Sequence, residues 1–385
     1  MRNILFLADP NSVHDLKWIS YFTSQYTCFL VARKHHLESW RPEDYESFRQ
    51  KYGVTIVGAL EDFSLRHFLR TLKEWDKLKA LLDRHRIDIF HIMYAEPNAL
   101  WCFFRPAKSP IYWLLTTRGT DILKAIPAHA GRKDLLNRTI AWMYRRALKQ
   151  FDKITCTSHL QKENVWKLAP GSPVEIIRTG VEAERILADN RSHLPEELNG
   201  VRYVLFPRNM RPLYNHEFSL AAIRLLPQAI KAQYCFVFVD QDSSDTAYVK
   251  KIRGLMDQDP EARFLFLNRQ RQESIWEMYK GASAVVMNPL SDGAPVSAME
   301  AMLCGTPVIV SNLAYDPDIF DNTILKLSSW EPAELARTIG EVLEGRTAVN
   351  KDLCTGRILE RGNRATEMKK LGSIYAASAS AAAVG

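Results

Sequence analysis

Short apolar runs alternate with stretches of helical spacing along this chain. RNILFLAD (2–9), TCFLVA (27–32), VTIVGA (54–59), IDIFHIMY (87–94), IYWLLTT (111–117) and KITCTS (153–158) read as strands, most of them short and centred on apolar residues. Such runs fit strands covered on both faces. Between them, SVHDLKWISYF (12–22), LRHFLRTLKEWDKLKALLDRHR (65–86) and the segment 134–150 place their apolar residues on one stripe, as amphipathic helices do. Ser12 and Asp15 have the spacing of a helix-start capping pair. Strands alternating with helices predict a parallel, doubly wound α/β sheet. Over 170–200 the pattern breaks into Pro, Gly and acidic residues, which predicts a linker over 181–200. A second round begins at VRYVLFP (201–207) and continues through CFVFVD (235–240), RFLFLN (263–268), AVVMNP (284–289) and PVIV (307–310). The expected organisation is one Rossmann-like domain over 1–180 and another over 201–350. Helices are expected at 331–344 and 351–375, with a closing segment 351–376 and a tail, 377–385, that has little to bury. Two α/β halves predict a cleft between them.

Composition narrows this little. A length of 385 residues suits two or three domains, and 46% hydrophobic with 25% charged residues is ordinary for a globular chain. No run approaches the roughly 18 apolar residues that span a bilayer. Residues 2–8 are apolar but lack a cleavage site, so they read as a buried strand and not a signal peptide. The six cysteines (28, 102, 156, 235, 304 and 354) are scattered, which implies neither a zinc site nor a disulfide framework and suits a reducing cytoplasm. Charge is uneven. Residues 1–190 hold 29 Lys/Arg against 21 Asp/Glu, while 191–385 hold 22 against 23. Arg132, Lys133, Arg138, Arg145, Arg146 and Lys149 lie on or beside one expected helix with Trp142 and Tyr144. This helix, 132–149, is either a peripheral contact with an anionic membrane or a solvated face. No nucleic-acid motif appears, so no nucleic-acid partner is expected.

The stretch SDGAPVSAMEAMLCGTPVIV (291–310) concentrates the chemistry. It follows one strand and leads into another, so Asp292, Gly293 and a helix N-terminus should sit at the carboxyl edge of a parallel sheet, where open α/β sheets bind ligands. Free amides and the positive helix end favour an anionic or polyhydroxylated ligand. Glu300, eight positions after Asp292, adds a second carboxylate able to accept a pair of hydroxyl hydrogen bonds.

This stretch resembles the Glu-x7-Glu motif of family-4 retaining glycosyltransferases, in a variant that begins Ser-Asp-Gly. The resemblance implies the GT-B fold: two Rossmann-like, doubly wound parallel-sheet domains facing across a cleft. It implies a nucleotide-diphosphate sugar as donor substrate, no further cofactor, and a hydroxyl acceptor such as a glycan or lipid-linked glycan in polysaccharide biosynthesis. Position by position, it places the donor sugar beside Asp292, the sugar and diphosphate against Gly293, Ala294, Pro295 and Val296, and the ribose hydroxyls on Glu300. FPRNMRPLYN (206–215) resembles the family's diphosphate loop. Arg208 matches its Arg, Tyr214 and Asn215 stand where a Lys is usual, and Arg211 offers a second charge or is a surface cation. ADPNSVHDLKW (8–18) resembles a Ser-x-His-x-x-x-Trp opening, so His14 is a candidate for orienting acceptor or sugar, or a helix-start residue with local bonds only. TRGTDIL (117–123) resembles a Gly-Ser-Asp-Ile-Leu segment in which Gly119 allows close ligand approach. Asp121 there caps a helix or touches the acceptor, and His91 matches a family histidine or is an interior residue. The resemblance also implies a last helix that crosses back to the first domain. No Asp-x-Asp metal motif is expected between the donor elements, so a metal-independent reaction catalysed through Arg208, Asp292 and His14 is expected. A catalytically silent scaffold or partner subunit is the alternative. A Rossmann oxidoreductase is excluded because no Gly-x-Gly-x-x-Gly follows either first strand.

Overall fold

The computed structural model describes residues 1–132, 134–188, 193–240 and 245–382. Its contacts divide the chain into two units, Met1–Thr179 with the C-terminal stretch from Glu367, and Gly180–Thr366.

In the first unit, strands β1 (Asn3–Leu7), β2 (Thr27–Arg33), β3 (Val54–Leu60), β4 (Ile89–Ile92), β5 (Tyr112–Thr116), β6 (Lys153–Cys156) and β7 (Val174–Ile176) form one parallel sheet in the order β3-β2-β1-β4-β5-β6-β7. After Asn3 the run in β1 has no polar position, because its side chains alternate between two cores. Leu5 and Leu7 pack with Trp75, Leu78 and Trp113, whereas Ile4 and Phe6 pack with Trp18, Phe22 and Tyr375. Helices α1 (Val13–Ile19), α2 (Pro42–Tyr52), α3 (Phe68–Arg84), α4 (Ile126–Gly131), α5 (Leu135–Gln150) and α6 (His159–Leu168) complete the alternation. Ser12 caps α1 by accepting the Asp15 amide at 3.3 Å.

The second unit repeats the logic. Strands β8 (Tyr203–Phe206), β9 (Cys235–Val239), β10 (Arg263–Leu267), β11 (Ala284–Met287), β12 (Val308–Val310) and β13 (Leu325–Lys326) run parallel in the order β10-β9-β8-β11-β12-β13. Helices α7 (Ala183–Ala188), α8 (His216–Arg224), α9 (Gln228–Gln233), α10 (Thr246–Met256), α11 (Gln272–Gly281), α12 (Val296–Leu303), α13 (Pro317–Phe320), α14 (Pro332–Leu343) and α15 (Lys351–Arg361) surround them.

Two expectations need revision. The segment 181–200 is not a bare linker. Ala183 and Ile186 of α7, with Leu198, are buried in a core of the second unit, and residues 189–192 lie outside the described residues. The final helix is two helices, α15 and α16 (Arg364–Ala382), broken at Gly362–Asn363. There Val181 donates to Gly362 O at 2.8 Å and Arg364 donates to Val181 O at 2.9 Å, so the break serves a short strand-like pairing. Gly180 makes the approach possible: it has φ 66°, and a Cβ on it would lie 2.6 Å from the Arg364 nitrogen. Beyond the break, Met368, Leu371 and Tyr375 enter the core of the first unit beside Phe22. Of the expected tail, residues 383–385 lie outside the described residues, whereas 377–382 continue α16.

Candidate functional site

In the second sheet, β8 has β9 on one side and β11 on the other. The connections leave in opposite directions here, which opens a crevice at the carboxyl ends of the strands. Two loops border it, 207–215 after β8 and 288–295 after β11. They are tied together by the Leu290 amide, which donates to Leu213 O at 2.8 Å.

Arg208 leaves the end of β8 and is held from three sides. Its Nη1 donates to Ser297 Oγ at 2.7 Å, its Nη2 lies 3.5 Å from Asp292 Oδ2, and its guanidinium stacks 4.2 Å from the centre of the Tyr214 ring. Burial works against the charge on Arg208, but Tyr214 and Asp292 outweigh it and hold the pKa above its ordinary value. Asp292 is itself pushed up by burial, with Arg208 and the Gly293 and Ala294 amides opposing. Its Oδ1 accepts the Gly293 amide at 2.8 Å. Pro295 occupies the N-cap of α12 and provides no side-chain cap. The first-turn amides of that helix therefore have no capping side chain, and they border the crevice beside Ser297 and Asp292. One turn further, Glu300 is buried and accepts from Gln272 Nε2 at 3.2 Å.

The remaining loop residues have shaping roles. Tyr214 fills the expected Lys position by stacking on Arg208, so it fixes a cation and adds none. Arg211 is exposed. Its amide donates to Asn209 O at 2.8 Å and its carbonyl accepts from Tyr214 at 2.9 Å. Asn215 turns the chain into α8 with φ 49°, a conformation that Asn tolerates. Ser297 and Gln272 were not singled out from the sequence. Ser297 lies inside the motif, while Gln272 is remote in sequence and carries no signal of its own.

In the first unit, Asp121 is fully buried and accepts the amides of Ala95 (2.8 Å), Arg118 (3.1 Å), Gly119 (2.9 Å) and Ile122 (2.8 Å). Burial raises its pKa while these amides oppose the rise. This corrects its candidacy as an acceptor contact, because the carboxylate is spent holding the loops after β4 and β5 together. Gly119 has φ 121°, which only glycine adopts without strain. His14 is exposed at the start of α1. Its neighbour Asp15 is buried and pairs with Arg118 Nη2 at 3.0 Å, and Arg118 stacks 4.4 Å from the Trp18 ring. Sequence reasoning missed this trio, although its members flank His14 and Gly119. His91 is an interior residue: Nδ1 bonds Tyr375 Oη at 2.6 Å, Nε2 bonds Thr116 Oγ1 at 2.7 Å, and burial drives its pKa well down.

Of the basic helix, Arg138, Arg145, Arg146 and Lys149 are exposed on α5 with Trp142, whereas Tyr144 is buried, and Lys133 lies outside the described residues. Asp-x-Asp spacings do occur in the second unit, at 240/242, 257/259 and 316/318. Asp240 accepts the Met210 amide, Asp259 is buried against Lys231 at 3.0 Å, Asp316 caps α13, and Asp242 lies outside the described residues.

Residues 22–185 match the family model described as Glycosyltransferase Family 4, and residues 191–353 match the model described as Glycosyl transferases group 1. N-acetyl-alpha-D-glucosaminyl L-malate synthase of Bacillus anthracis is 20% identical over 252 residues, which is 64% of this chain and 62% of that protein. This chain therefore spans somewhat less than two thirds of that curated relative. Among solved structures, sucrose-phosphate synthase from Thermosynechococcus elongatus superposes with a TM-score of 0.74 at 18% identity, covering 99% of this chain and 100% of that one. HepE of Anabaena, in complex with UDP-glucose, gives 0.73 at 14% identity, covering 98% and 100%.

Proposed function

This chain belongs to the family-4 glycosyltransferases of the GT-B fold, and from that premise we propose that it transfers a sugar from a nucleotide-diphosphate donor to a hydroxyl acceptor with retention of configuration. The observation that carries this reading is Arg208, fixed by Ser297, Tyr214 and Asp292 beside the N-terminus of α12. Breaking the anomeric C–O bond leaves its electron pair on the departing diphosphate. Arg208 and the α12 amides stabilise that charge. The acceptor oxygen bonds to the anomeric carbon on the face from which the diphosphate leaves, and its proton passes to the departing phosphate oxygen. Asp292 takes sugar hydroxyls and Glu300 the ribose hydroxyls. Because protein cations and amides meet the leaving-group charge, turnover is metal-independent in this reading. Loss of activity in EDTA that magnesium or manganese restores overturns that part.

The acceptor in this reading is a glycan or lipid-linked glycan, met at the cytoplasmic face of a membrane. Among the described residues no helix is long and apolar enough to cross a membrane. Peripheral contact through α5 is supported by exposed Leu135 and Trp142 beside Arg138, Arg145, Arg146 and Lys149. HepE was solved with UDP-glucose, which makes uridine sugars the first donors to try. The test is a thermal-shift screen of nucleotide sugars, then NMR of the product's anomeric configuration with the best donor. An inverted product refutes retention. No stabilisation by any nucleotide sugar, and no donor hydrolysis, favours the silent-scaffold alternative.

A further inference from the structure

The first unit contains a cavity of about 290 Å³ that the donor chemistry does not use. It lies beyond the carboxyl ends of β3 and β4, between the loops that follow them and the α4–α5 hairpin. Phe63, Leu65, Leu100 and Ile140 line it with apolar surface, and Phe63 and Leu100 are buried. Its volume accommodates about ten water-sized groups. Arg66 and Arg132 also line it, and both are exposed. Neither takes part in a salt bridge among the described residues. His129 adds a third nitrogen base to the wall, with Nδ1 2.7 Å from Asn137 Oδ1. The one carboxylate in the lining, Glu96, is within electrostatic reach of Arg33, which also pairs with Asp62 at 2.5 Å. Arg132 is within electrostatic reach of Asp134 but makes no salt bridge with it, so the cavity joins an apolar interior to two exposed guanidinium groups with no close ion-pair partner among the described residues. Such a cavity suits an apolar stem with one anionic end. A free sugar suits it poorly, since Asn137 is already engaged by His129 and Asp134.

We propose that this cavity binds an amphiphilic anion, with a hydrocarbon stem against Phe63, Leu65, Leu100 and Ile140 and a phosphate or carboxylate held by Arg66 and Arg132. The inference rests on the transferase reading only in taking this molecule as the acceptor or its anchor; the binding is measured without turnover. Isothermal titration of the full chain with geranyl phosphate is compared with inorganic phosphate and geraniol. Geranyl phosphate should bind at least about tenfold tighter than either half, the scale of one added charge-assisted contact. The double variant Arg66→Ala/Arg132→Ala should lose that advantage, and Arg66→Lys/Arg132→Lys should recover part of it. Ile140→Trp should block the stem. Each variant is required to keep the wild-type melting temperature, and both arginines are exposed, so the charge variants are expected to fold. Geranyl phosphate is also presented in phosphatidylcholine vesicles. Tighter binding from vesicles identifies a membrane lipid as the source, and binding only to the free molecule identifies a soluble one. The proposal is overturned if inorganic phosphate binds as tightly, if the charge variants bind like wild type, or if geranyl phosphate binds in neither form. Binding of geranyl phosphate together with no stabilisation by any nucleotide sugar and no donor hydrolysis would leave this site standing and count against the transferase reading alone.

Discussion

Arg208 is where the donor-site reasoning is most exposed. In the structure its guanidinium bonds Ser297 at 2.7 Å, faces Asp292 at 3.5 Å and stacks on Tyr214 at 4.2 Å. With Tyr214 in the place of a second cation, the proposed mechanism puts more of the diphosphate charge on this side chain. Arg208→Ala should lower kcat by about 10²–10³, or roughly 2.7–4 kcal/mol of transition-state stabilisation, the scale of losing one preorganised donor. The same change removes the counterion of Asp292. That carboxylate already has a pKa raised by burial, so losing Arg208 raises it further and costs some local stability. The two effects separate by experiment. Steady-state release of nucleoside diphosphate reports turnover, and thermal unfolding reports the fold. Arg208→Lys should keep the fold and recover only part of kcat, because an ammonium cannot bond Ser297 and a phosphate in the planar geometry of a guanidinium. Arg211→Ala should cost much less, since the Arg211 side chain is exposed and its backbone shapes the turn. A folded Arg208→Ala enzyme with near-wild-type kcat refutes the assignment. If Arg211→Ala alone abolishes turnover, the diphosphate rests on the other arginine of the loop.

Three further outcomes follow from the same geometry. Glu300→Gln should weaken nucleoside diphosphate binding by about 1–3 kcal/mol, read by titration calorimetry, because an amide accepts fewer hydroxyl bonds than a carboxylate; unchanged affinity removes Glu300 from the ribose. Asp121→Asn should lower the thermal midpoint by several degrees, since four amides converge on that carboxylate and an unpaired buried donor costs about 1–3 kcal/mol; a wild-type midpoint contradicts the structural role. Glu334 accepts from both backbone and hydroxyl of Ser328 and Ser329, which pulls its pKa from 4.5 to about 2. A depressed folded pKa adds stability that is complete above the unfolded value and is lost as pH falls from about 4.5 towards 2. Glu334→Gln should therefore show a shallower loss of melting temperature over that interval, and parallel curves for the two proteins refute the linkage.

The sequence is legible wherever one physical demand sets a whole segment. Strands covered on both faces must be apolar throughout, so β1, β8 and β11 stand out from composition alone, and the order of strands and helices follows from them. The crevice beside β8 and β11 is legible for a related reason. Asp292, Gly293, Ser297 and Glu300 sit within ten positions on one loop and one helix, so local spacing carries their geometry. What escaped depends on pairings between distant positions. β7 has three residues, all partly exposed at the sheet edge, too few to show a pattern. The break at Gly362 reflects a bond to Val181, which no local signal announces. Asp121 and Asp15 show the limit most clearly. Each lies within two residues of a candidate glycine or histidine, and local spacing reads Asp15 as half of a helix-start capping pair and Asp121 as a cap or an acceptor contact. Asp121 is committed by its neighbours' amides and Asp15 by a guanidinium 103 positions away. A loop carboxylate becomes a ligand group only when the protein leaves its oxygens unspent, and that accounting belongs to the fold. Asp292 differs from both in the balance of its partners. One oxygen accepts its neighbour's amide at 2.8 Å, while the other faces Arg208 at 3.5 Å. That longer contact is to a side chain, and exchanging it for substrate hydroxyls leaves the Gly293 amide bonded to the other oxygen.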